Sequence, residues 1–102
     1  MAPRETGAAD QERRRRRHRE LLSSLKTVNA ELSDLEWTLT ELEQQIGSLE
    51  AEHDLLPEAA LARRIRDLRR WRGVLEERVL RQMYRAEELN AEIAGTQAER
   101  EG

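Results

Sequence analysis

The 102-residue chain has no cysteine and no phenylalanine, a single lysine (Lys26), two prolines and three aromatic side chains, Trp37, Trp71 and Tyr84. Without cysteine, disulfides, thiolate metal sites and a Cys nucleophile are excluded. With so few aromatics and 37% apolar residues, a thick globular core is not expected. No apolar run approaches the roughly 18 residues of a membrane span, and the opening "MAPRETGAAD" lacks the apolar centre of a secretory signal. These absences predict a soluble intracellular chain, cytoplasmic, with a nuclear address only in a host that has a nucleus.

What is abundant is charge, 38% of residues, together with Leu, Glu, Ala and Arg. This is the composition of coiled coils and long helices. From residue 21 the apolar positions are Leu21, Leu25, Val28, Leu32, Leu35, Leu39, Leu42, Ile46 and Leu49. They are spaced alternately four and three residues apart, the heptad signature of a helix seam. A second series, Leu61, Ile65, Leu68, Leu75, Val79, Ala86, Leu89 and Ile93, keeps the same register with Arg72 and Gln82 at two seam positions. Between the two series stands Pro57, which cannot sit inside a helix but suits the first position of a new one.

The predicted fold is therefore all-α, an antiparallel two-helix coiled-coil hairpin. Its expected parts are a disordered segment over 1–9, helix 1 from about Asp10 as N-cap to residue 52, a turn at 53–56, helix 2 over 57–94, and a frayed tail over 95–102. Gly47 and Gly73 fall inside the helices, off the seam, where each costs about 1 kcal/mol relative to Ala. A two-helix hairpin buries one narrow stripe, so completion by oligomerisation into a helical bundle is expected.

Charge is segregated into blocks. Residues 13–19 read "RRRRRHR": Arg13, Arg14, Arg15, Arg16, Arg17 and Arg19 around His18. Residues 31–58 carry nine acidic side chains and no Lys or Arg; residues 63–85 carry nine arginines against Asp67, Glu76 and Glu77; residues 87–101 hold five glutamates and Arg100. Folding back at Pro57 sets acidic block against basic block, places Glu43 opposite Arg69 and Glu31 near Arg78, and leaves Glu36 beside Glu76. In the same register Leu21 meets Ile93, Leu35 meets Leu75, Leu42 meets Leu68 and Leu49 meets Leu61. Exposed pairs are worth a few tenths of a kcal/mol each, so they select the antiparallel orientation without holding it together.

Function follows from kinds of surface. His18 and His53 both fall on the seam and read as polar end layers. No His, Asp or Glu spacing suggests a metal site, and a two-helix rod offers no dry concave pocket for catalysis or for a small-molecule substrate. The chain is expected to be non-enzymatic, with no cofactor. Trp37 projects away from the seam, and Trp71, Val74, Leu80, Met83 and Tyr84 lie beside or off it. These are the candidate partner contacts, because Trp is enriched where interfaces concentrate their binding energy. The expected role is a structural or adaptor coiled-coil subunit joining a protein partner or further copies of itself. The alternative is a nucleic-acid-binding module using the arginine run; a net charge of −3 and the lack of aromatics within the run argue against it.

Overall fold

Between Pro3 and Pro57 the chain has no proline, and its isolated glycines weaken a helix without ending it. In the computed structural model, which describes residues 2–101 and the side chains of 7–98, this stretch is one helix, α1, Ala2–Leu55. Pro57 ends it, because the proline ring disfavours helical backbone at the preceding residue, Leu56. The last helical bond runs from the Leu56 N–H to the Glu52 carbonyl at 2.9 Å. The Glu58 carbonyl then accepts from the Ala62 N–H at 3.0 Å, opening α2, Ala59–Glu101. The protein is an all-helical, two-helix hairpin whose helices pack against each other.

The helix ends differ from expectation, each for a physical reason. Asp10 does not cap α1; its carboxylate accepts from the Arg13 guanidinium one turn on, inside the helix. The helix instead begins at Ala2, with Pro3 in the first turn, where a missing N–H leaves no bond unmade. Pro57 lies in the turn, and the first helical position is Ala59. At the other end α2 continues through Gly95, which has no positive φ and so does not form a left-handed cap. Met1 of the expected leading segment and Gly102 of the expected tail lie outside the described residues.

The hairpin divides into two compact units. The first joins residues up to Ala30 with residues from Tyr84 onward. There Leu21, Val28, Leu89, Ile93 and His18 are buried, and Leu25, Ala86 and Thr96 are half-buried. The second unit is Glu31–Met83. Its core cluster is Leu42, Ile46 and Leu75, with Leu35, Leu39 and Leu68 packed against it. Ile65 is also buried, while Leu32, Leu49, Leu61 and Val79 are half-buried. The polar seam residues Arg72 and Gln82 are half-buried too, and Gln82 finds a partner across the hairpin by donating to the Glu31 carboxylate. Among the described residues no helix is long and apolar enough to cross a membrane.

Leu89 is 0% exposed, so Leu89→Ala deletes a side chain that the fold encloses completely. A cost of about 2–5 kcal/mol is expected in urea unfolding followed by circular dichroism. A Cβ added at Gly47 or Gly73 meets no atom within 4 Å. Gly47→Ala and Gly73→Ala should therefore each stabilise by roughly 0.5–1 kcal/mol; a loss at either position would mean that another chain packs there.

Candidate functional site

A helix that buries one stripe must display the rest of its surface, and here the display is not uniformly polar. Among the described residues nine large apolar side chains are exposed: Leu22, Trp37, Leu55, Leu56, Trp71, Val74, Leu80, Met83 and Tyr84. Trp37, 67% exposed, stands alone on α1 among Ser33, Asp34, Thr40 and Glu41, its neighbours at helical spacing. Trp71 and Val74 lie three residues apart on α2, and the Arg78 guanidinium carbon sits 5.6 Å from the centroid of the Trp71 ring. At that distance the cation is attracted to the negative face of the indole and holds it against the helix. Leu80 and Met83 lie on the opposite flank of α2, as their spacing from the seam requires.

Three exposed leucines went unpredicted. Leu22 is displayed beside seam residue Leu21, with Arg15, Arg19 and Lys26 at helical spacing around it. Leu55, 87% exposed, and Leu56 form the apolar tip of the turn in the second unit, beside Glu52, Glu58 and Leu61. The "HDLLP" stretch shows why: Leu55 departs from the four-three spacing, and Leu56 keeps it, three residues after His53, but lies past the last helical residue and so has no facing helix to cover it.

In the second unit an open groove of about 520 Å³ runs along one flank of the hairpin, lined by Glu31, Asp34, Leu35 and Thr38 from α1 and by Arg78, Arg81 and Gln82 from α2. The Thr38 hydroxyl donates to the Asp34 carbonyl at 2.9 Å, so its polar atom is satisfied within α1, and Leu35 adds apolar lining to the groove. Another groove, about 370 Å³, is lined by Glu50, His53, Asp54, Ala62, Ile65, Arg66 and Arg69. Here the predicted charge pair changes partner: Arg69 bridges to Glu50 at 3.3 Å, two turns along from Glu43. Glu43 and Glu50 share one heptad position, so heptad letters alone do not choose between them. Glu76, expected beside Glu36, is bridged by Arg72 at 3.5 Å on its own helix.

The arginine run is half engaged. Arg17 donates to Glu92 at 3.0 Å, Arg13 to Asp10, and Arg19 bridges to Glu12 at 3.6 Å. Arg14, Arg15 and Arg16 are exposed and make no ion pair with any described residue. His18, inside the run, turns inward and is buried, with its Nδ1 2.8 Å from the Thr96 hydroxyl. That hydroxyl donates its one proton to the Ile93 carbonyl at 2.8 Å. His18 Nδ1 must then carry the proton and donate to Thr96. His53, at the other seam end, is half-buried. Among the described residues no group of three or more His, Asp or Glu side chains is placed to hold a metal ion.

No family model matches the chain, and no curated protein or solved structure is significantly similar to it. What the geometry defines is a fold, a two-helix hairpin with a single seam and a mixed apolar and charged exterior. Thr96→Val should leave the buried His18 N–H without an acceptor, at about 1–3 kcal/mol. The expected readout is faster amide exchange over residues 93–98, with residues 42–46 unchanged.

Proposed function

We propose that this chain is a non-enzymatic assembly subunit, an antiparallel coiled-coil hairpin that acts by helix-to-helix contact with a protein partner or with further copies of itself. One observation carries the reading: the seam is one stripe wide, yet nine large apolar side chains among the described residues remain in water. Burying a side chain of this size contributes about 1.5–3 kcal/mol, a gain the isolated hairpin forgoes at each of these positions. The coiled-coil part rests on burial that repeats every three and four residues along both helices. Its antiparallel sense rests on pairs in the second unit, where Glu31 meets Gln82 and Glu50 meets Arg69. With 38% of residues charged, an aqueous compartment suits the surface, and we take it to be the cytoplasm.

Sedimentation of the pure chain at micromolar concentration, with purification of its complex from the native host, tests the reading. Association that persists in salt is expected, and Trp37→Ala should weaken partner binding roughly thirtyfold, the equivalent of about 2 kcal/mol, with helicity unchanged. A monomer at every concentration and no co-purifying protein would overturn it.

A second reading, nucleic-acid binding, is favoured by one observation: Arg14, Arg15 and Arg16 are exposed without ion partners among the described residues. Three phosphate contacts would give log K against log salt a slope near −3. Titrating labelled duplex DNA and RNA should instead give weak binding. Submicromolar affinity at physiological salt, lost when the three arginines become alanines, would make this second reading the better one.

A further inference from the structure

We propose that the groove flank of the second unit is where the hairpin meets a second copy of itself, two hairpins forming a four-helix bundle about a two-fold axis parallel to the helices. The inference rests on the assembly reading above and names the partner and the surface. Within one groove, α1 contributes the acidic Glu31 and Asp34, while α2 contributes the basic Arg78 and Arg81. Glu31 is level with α2 at Gln82, to which it is hydrogen bonded. A two-fold axis along the helices keeps that level and exchanges sides. Each acidic lane then faces the basic lane of the other copy, and like charges fall on the diagonal. A surface that complements itself in this way is what a closed dimer requires.

Three further observations select this flank. Trp71 and Val74 share it with Arg78 at spacings of seven and four residues, so an indole already held by a guanidinium stands beside the groove. In the bundle it packs over the Leu35 and Thr38 surface of the second copy's α1. The opposite flank is complementary only near the turn, where Glu50 and Asp54 of α1 stand beside Arg66 and Arg69 of α2 and the Arg69–Glu50 pair is already closed within the hairpin. Farther along, two copies meeting there would bring Glu36 of one against Glu76 of the other. The available area is also adequate: helices roughly 35 Å long and together about 20 Å wide present roughly 700 Å², close to the ~800 Å² per partner of a standard interface.

The test uses the full chain and two charge-exchanged variants, Arg78→Glu with Arg81→Glu, and Glu31→Arg with Asp34→Arg. Sedimentation equilibrium should show each variant alone dimerising at least tenfold more weakly than the native chain. An equimolar mixture should recover the dimer, because each acidic face then meets a basic one; recovery of helicity on mixing counts equally if a variant alone loses its fold. Val74→Glu, at a position already exposed, should weaken the dimer without loss of helicity in the monomer. If the native chain dimerises but these variants do so equally well, while Leu80→Glu with Met83→Glu abolishes association, the proposed surface is wrong and the assembly reading stands. A native chain that stays monomeric but binds a different protein likewise overturns the self-association alone. A monomer that binds nothing overturns both.

Discussion

Because an α-helix turns once in about 3.6 residues, apolar side chains spaced alternately three and four apart draw a stripe only one or two side chains wide. Everything else in this hairpin depends on how little that stripe encloses. In the second unit the core cluster is Leu42, Ile46 and Leu75, with three more leucines closing over it. Apart from Ile65, which is buried too, the remaining seam residues of this unit are half-buried, touched on one side by the facing helix and on the other by water. Such a core holds two helices together only while their register is kept, since a slip of one residue rotates the stripe out of the contact.

Charge keeps the register without supplying the strength. The bridging pairs Arg17 with Glu92 and Arg69 with Glu50 are both well exposed, so each contributes at most a fraction of a kcal/mol after solvent screening. Their effect is discrimination: an all-acidic stretch of α1 tolerates a facing helix only where that helix is basic. The polar seam residues act in the same direction. Gln82 satisfies its amide on Glu31 in one alignment of the helices, and His18 satisfies its Nδ1–H on Thr96. Shifting either helix would leave these groups in the seam without partners, a larger penalty than the loss of any surface pair.

Helix content and the positions that turn inward were legible in the sequence because a two-letter apolar pattern suffices to set them. Every position of the four-three spacing in both helices, including Arg72 and Gln82, is buried or half-buried. Helix ends were less legible. They are decided by competition between local bonds, and Asp10 chose Arg13 over a capping role, while Thr96 tied the backbone beyond Gly95 to His18. Ion partners were legible by block and not by residue, as Arg69 shows by bridging to Glu50 instead of Glu43. Among the candidate contacts, Trp37 stood out from its heptad position alone. Leu55 and Leu56 did not, because a turn has no periodicity against which an apolar residue looks misplaced.

One stretch of α2 ties seam to surface. Between residues 71 and 82 the seam gives up two of its apolar positions to Arg72 and Gln82, leaving Leu75 buried and Val79 half-buried. Over the same stretch the exterior gains Trp71, Val74 and Leu80, all exposed. Apolar surface has in effect been moved from the inside of the hairpin to its flanks. For a lone hairpin this exchange is a loss twice over, with a thinner core and more hydrocarbon in water. It becomes a gain once something covers the flank, because the covered area then stabilises the folded hairpin and the complex together. The polar seam residues still reject wrong alignments. The two polar seam positions thus coincide with the stretch of α2 richest in exposed apolar side chains.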